Sequence, residues 1–108
     1  MTQDTLGALE FQLLAVLLEQ PRDAYGITIM QRVEDRTGKA RSLAAIYATL
    51  DRLQRKGLVT SSWGEPTAER GGRRKRYYEI EGAGKEAVER VRQATQPFGL
   101  TSVVRVGA

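Results

Sequence analysis

Between residues 42 and 63 the chain reads SLAAIYATLDRLQRKGLVTSSW, a helix that stops and becomes a strand. Ser42 is the natural N-cap, because a short hydroxyl accepts a hydrogen bond from a free N–H of the first turn. From Leu43 to Lys56 the apolar positions Leu43, Ile46, Tyr47, Leu50 and Leu53 recur at helical spacing and predict one packed face. The opposite face reads Ala45, Ala48, Thr49, Arg52, Arg55 and Lys56. Gly57 suits the left-handed residue that ends a helix, and Leu58 is placed for the apolar contact of a Schellman motif. The period then changes. Leu58 to Trp63 is rich in strand formers and predicts a β-strand.

Downstream, Gly64 to Gly72 is a polar loop containing Pro66, and Arg73 to Ile80 alternates as a second strand, so the two strands form a hairpin. Gly82-Ala83-Gly84 is a loose helix start. From Lys85 to Thr95, Ala87, Val88, Val91 and Ala94 form a stripe, which Pro97 ends. Upstream, Lys39-Ala40-Arg41-Ser42 is a basic turn. Before it a second helix runs to Arg36, with Asp23 as expected N-cap, Tyr25, Ile29 and Val33 as its stripe, and Gly38 as C-cap. The first helix is expected from Asp4 or Thr5 to Glu19. Leu6, Leu9, Leu13, Val16 and Leu17 form one apolar face, and Phe11, Leu14 and Leu18 form a second. A helix so apolar is buried on two sides, either by another subunit or as the central helix of a monomer. The fold class is therefore α+β and mostly helical. A winged helix-turn-helix of three helices and a two-stranded wing occupies residues 4–80, a C-terminal helix residues 82–96, and a tail residues 97–108.

The chain has 108 residues, which favours one domain. It contains neither Cys nor His. That removes disulfides, thiolate nucleophiles, a Ser-His-Asp triad and His- or Cys-ligated metals. No enzymatic activity, metal or cofactor is expected. No apolar run approaches the roughly 18 residues of a membrane span. Met1-Thr2-Gln3-Asp4 lacks the positive start of a signal peptide, so a cytoplasmic location is expected. The net charge is +4, with 17 basic and 13 acidic residues, but its distribution matters more. Residues 1–20 carry −3, residues 39–56 carry +4 and residues 57–78 carry +3, while the remaining segments cancel. A basic middle on a balanced molecule points to a polyanion, with double-stranded DNA the expected partner.

Two elements explain why DNA fits. The outward side of the third helix offers Ser42, Ala44, Ala45, Ala48 and Thr49, small enough to let a helix lie in a major groove about 12 Å wide. Arg52 lies further along, and Lys39 and Arg41 flank the helix start, where phosphates also meet free backbone N–H groups. Tyr47 sits at the edge of the packed face, its ring inward or its hydroxyl on a phosphate. The hairpin run Arg70-Gly71-Gly72-Arg73-Arg74-Lys75-Arg76 places glycines beside cations, as suits a wing on the DNA backbone. Trp63 reads as partial core, with a stacking platform as the alternative. Of Tyr77 and Tyr78, one is expected to face inward and one outward. A dimeric interaction module whose basic face binds RNA or an acidic protein is the competing reading.

Residues 6–90 resemble the PadR-type transcriptional regulators, especially the small members with a single C-terminal helix. The resemblance rests on LGALE at 6–10, DAYGI at 23–27, SLAAIYATLDRL at 42–53, KGLV at 56–59, GRRKRYYEI at 72–80, and Gly84. It implies a homodimeric repressor on a palindromic operator, with the third helix in the major groove and the wing on the backbone. It implies dimerisation through the first and last helices, here by Leu6, Phe11, Leu14, Leu18, Val88 and Val91. It also implies a small-molecule effector at or near the dimer interface. Where the family carries Thr before the last helix, this chain has Glu81 and then Gly82, a weaker cap.

Overall fold

Four helices and one hairpin follow one another in the computed structural model, which describes residues 6–65 and 74–95. They are α1 (Ala8–Glu19), α2 (Gly26–Thr37), α3 (Leu43–Arg55), β1 (Val59–Trp63), β2 (Arg76–Ile80) and α4 (Gly82–Ala94). This is the winged helix-turn-helix expected, with α4 appended. Asp4, Thr5, Gly72, Arg73 and the 97–108 tail lie outside the described residues.

α1 is the central helix. It starts at Ala8, later than expected, because Glu10 Oε1 accepts the Gly7 N–H at 2.9 Å and closes the first turn. Leu13, Leu14, Val16 and Leu17 are fully closed from solvent, and α1 touches α2, α3, α4 and β2. Both apolar faces of α1 are thus largely covered within one chain. Leu6, Leu9, Phe11 and Leu18 remain half-buried at the edge of this core. Ile29 and Val33 of α2, Ile46, Leu50 and Leu53 of α3, Val59, Tyr78, Ala87 and Val88 complete it. Each fully buried Leu or Ile contributes about 1.5–3 kcal/mol by leaving water.

Asp23 does not cap α2. It adopts φ 55° in the preceding turn, a conformation that Asp tolerates better than most residues. The cap position belongs to Tyr25, whose N–H donates to Thr28 Oγ1 at 3.0 Å. Tyr25 is therefore not on the α2 stripe. It bridges Tyr77, and the Tyr78 N–H donates to the Ala24 carbonyl at 2.9 Å, so the turn before α2 extends the edge of the hairpin.

α3 is framed as its sequence dictates. Ser42 Oγ accepts the Ala45 N–H at 3.0 Å. At the other end Gly57 takes φ 78°, Leu58 N–H donates to the Leu53 carbonyl at 2.9 Å, and Gly57 N–H to the Gln54 carbonyl at 3.0 Å. Those two bonds are the full Schellman motif. They turn the chain directly into β1, which pairs antiparallel with β2 from Val59↔Ile80 to Trp63↔Arg76. α4 packs close against that turn. A Cβ on Gly84 would lie 2.4 Å from the Leu58 carbonyl oxygen. Glu81 occupies its N-cap position and makes no side-chain capping bond, as its weak capping character implies.

Candidate nucleic-acid interface

At about 100° per residue, the solvent side of α3 is centred on Ala44, Ala48, Asp51 and Arg55. All four are exposed, together with Ser42, Tyr47 and Arg52, while Ala45 is half-buried. Lys39 is exposed and Arg41 half-buried, both just ahead of the helix start. The residues expected at this end thus share one surface. Thr49 does not join it. It flanks Leu53 at the edge of the packed side, is 2% exposed, and donates its hydroxyl to the Ala45 carbonyl at 2.8 Å. Its burial corrects its assignment to the DNA face. Asp51, a carboxylate in the middle of the outward ridge, was not anticipated, although the same 100° count places it there.

Arg52 is differently employed from the expectation. Glu10 of α1 is a 5%-exposed carboxylate beneath the last turns of α3. Both of its oxygens accept from Lys56 Nζ at 3.0 Å, and Arg52 Nε lies 3.5 Å from Oε2. Arg52 also donates to Thr49 Oγ1 at 3.3 Å. Burial alone would raise the Glu10 carboxyl. The Gly7 N–H, Lys56 and Arg52 outweigh it and hold the group below the usual carboxylate value. An acidic N-terminal segment therefore reaches into the basic middle and neutralises part of it. No pair along the sequence announces this, because Glu10 and Lys56 are 46 residues apart.

The wing root faces α3. Arg76 Nε donates to Ser61 Oγ at 3.0 Å, and Ser61 Oγ in turn donates to Gln54 Oε1 of α3 at 3.1 Å. The Arg76 guanidinium lies 5.3 Å from the Trp63 ring centroid. Trp63 is 57% exposed, so it stands beside a cation and is not partial core. Tyr47, Ala48, Asp51, Gln54, Arg76 and Tyr78 line an open groove of about 360 Å³ between helix and wing. Tyr78 is buried, which pushes its hydroxyl above the ordinary tyrosine value. Tyr77 faces the other way and is half-covered, edge-on to Tyr25 with centroids 5.5 Å apart. Lys75 Nζ sits 4.4 Å over the Tyr25 ring. Arg74, Lys75 and Arg76 are all exposed. Gly26 supports the remaining aromatic: a Cβ there would meet Tyr47 Oη at 2.2 Å, so the ring lies against bare backbone.

On the expected dimer surface, Leu14 and Val88 are closed inside the single chain and have nothing to present to a second copy. That part of the expectation is corrected, because α1 and α4 bury these side chains against each other and their neighbours. Leu6, Phe11, Leu18 and Val91 stay half-buried. Among the described residues no helix is long and apolar enough to cross a membrane, and no group of His, Cys, Asp or Glu could hold a metal ion.

Comparison with known proteins places this arrangement. A PadR family transcription regulator from hypervirulent Clostridium difficile shares the fold at a TM-score of 0.67 and 22% identity, over 94% of this chain and 100% of that one. RosR of H. salinarum superimposes with a TM-score of 0.67 at 28% identity, over 89% of this chain and 78% of its own. An uncharacterized protein of Lysinibacillus sphaericus is 35% identical over 81 residues, which is 73% of this chain and 70% of the relative. The model of the transcriptional regulator PadR-like family matches residues 13–90. With its three helices, wing and appended α4, the chain belongs to the PadR-like family of DNA-binding transcriptional regulators, which control transcription and are not enzymes.

Proposed function

We propose that the chain is a homodimeric repressor that binds a palindromic operator. α3 of each copy lies in a major groove, with the wings on the flanking backbone. The observation that carries this reading is the single surface on which exposed Ala44 and Ala48 stand beside Tyr47 and, across the groove, Arg76. Small side chains admit the helix, and the surrounding cations meet phosphate. Lys39, Arg41, Ser42, Ala45 and Tyr47 serve the helix start, and Arg74, Lys75 and Arg76 serve the wing, as do Gly72 and Arg73, which lie outside the described residues. Arg52 reaches DNA only by leaving Glu10. The half-buried Leu6, Phe11, Leu18 and Val91 are the proposed contact between copies, and residues 82–96 the dimerisation helix. An effector site near that contact belongs to the same reading and rests on the family resemblance. The cytoplasmic location expected from the sequence belongs to the same reading.

The test is titration of the purified protein onto promoter fragments at several salt concentrations. The expected result is selective retention of a palindrome, with log affinity falling steeply and linearly with log salt. Weak salt dependence, or equal retention of any duplex, overturns it. Preferential capture of single-stranded RNA would favour the interaction-module alternative.

A further inference from the structure

We infer that Asp51 and Arg55 form a base-reading pair on α3, in which Arg55 recognises a guanine edge and Asp51 sets its direction. The inference rests on α3 entering the major groove and goes further, to what that helix reads there. The two residues sit on the meridian of the outward face, one turn apart, with side chains 66% and 65% exposed. Arg55 Nη1 donates to Asp51 Oδ2 at 2.5 Å. Arg55 stands at the last position of α3, but this bond draws its guanidinium back by one turn, toward the part of the helix that small residues let into the groove.

The chemistry fits a base edge better than a phosphate. A guanidinium carries five donors, and this bond uses one. The others leave a fork for guanine O6 and N7, the commonest specific arginine contact in the major groove. Asp51 Oδ1 makes no hydrogen bond among the described residues, which leaves an acceptor for the amino group of a neighbouring cytosine. A carboxylate in the centre of a DNA-facing surface repels phosphate, so its presence costs general affinity and is compensated only by selectivity. The neighbouring cations are disposed differently. Arg52 and Lys56 are drawn off the meridian to Glu10, so Arg55 is the cation of the last α3 turns that faces straight outward. The plain alternative is an exposed i,i+4 ion pair that does nothing but steady the helix slightly.

Selection of binding sites from a random duplex pool, by the wild-type protein and by Arg55→Gln and Asp51→Asn, tests the inference. The wild type is expected to enrich a site with an invariant guanine in each half. Replacing that guanine by 7-deazaguanine or adenine should weaken wild-type binding roughly ten- to hundred-fold. The same replacements should change Arg55→Gln binding less than about two-fold, so that the two losses do not add. Asp51→Asn should bind non-specific duplex more tightly while discriminating less at that guanine. A wild type that selects a site whose bases all show additive losses with Arg55→Gln overturns this pair and leaves the proposed function standing. A wild type that enriches no site overturns both.

Discussion

Glu10 shows how one buried carboxylate sets the charge that α3 can show. Its pull on Lys56 and Arg52 comes from α1, so it fastens the central helix to the last turns of α3. Replacing it by Gln keeps the shape and an acceptor for Gly7 but removes the charge. Arg52 is 49% exposed and Lys56 31%, so water takes over part of what they lose. The expected cost for Glu10→Gln is about 1–2 kcal/mol at pH 7, at the low end for a charged hydrogen-bonded pair, and urea unfolding measures it. The pH dependence follows from the sign of the shift. A carboxyl whose pKa is lowered on folding stabilises the protein above its ordinary value of 4.5, and that gain disappears as pH falls through the folded value. The stability gap between wild type and Glu10→Gln should hold between pH 7 and 5 and close below about 4.5. A gap that persists at pH 3 would mean that packing, not charge, fastens α1 to α3. The same substitution frees two cations, so non-specific DNA affinity should rise and its salt slope steepen by one to two phosphate equivalents.

At the scale of elements, the ends of α3 were legible and the tertiary use of its side chains was not. Ser42, Gly57 and Leu58 satisfy backbone groups a few residues away, so their roles follow from local chemistry, and each appears where the sequence puts it. Ser42→Ala should cost about 1 kcal/mol in thermal unfolding, a loss that Ser42→Asp restores. Thr49 lies on the flank of α3 beside Leu53, where helical spacing leaves the face open and only packing decides it. Tyr25 was misread for another reason. Its spacing to Ile29 and Val33 imitates a helical stripe, while its backbone pairs with Tyr77, and long-range strand pairing leaves no periodic trace. Trp63 and Glu10 belong to the same class, since partners 13 and 46 residues distant decide their exposure. The turn between α3 and β1 is also the floor on which α4 stands. Gly84→Ala would drive a methyl into the Leu58 carbonyl, and backbone cannot swing aside as a flexible side chain can. The expected loss is about 3 kcal/mol, the upper part of the overpacking range, seen as a fall in the unfolding midpoint. Gly26→Ala meets only the end of Tyr47, so the ring should turn away at little cost in stability, and DNA binding should weaken more than unfolding does.

At the scale of the whole molecule, the proposed two-fold dimer would give separate duties to two surfaces. α3 and the wing root share one side, while Leu6, Phe11 and Leu18, in and just before α1, and Val91 of α4 are half-buried. In the proposed dimer a second copy would cover these side chains by the same patch on each partner. Two recognition helices would then be held about 34–36 Å apart, one turn of duplex. The double substitution Leu18→Glu with Val91→Glu puts charge on that patch without touching α3. The expected product is a folded monomer by sedimentation, with helical content retained and with operator affinity reduced to that of a single half-site. Spacing supplies the independent check. Inserting about five base pairs between the operator halves turns one half to the far side of the duplex. A rigid dimer then reaches only one half at a time, so wild-type affinity for the spaced site should fall to the level of the Leu18→Glu, Val91→Glu variant on the intact site. If the wild type binds the spaced and intact operators equally, the two α3 helices act independently, and the patch on α1 and α4 has some other occupant.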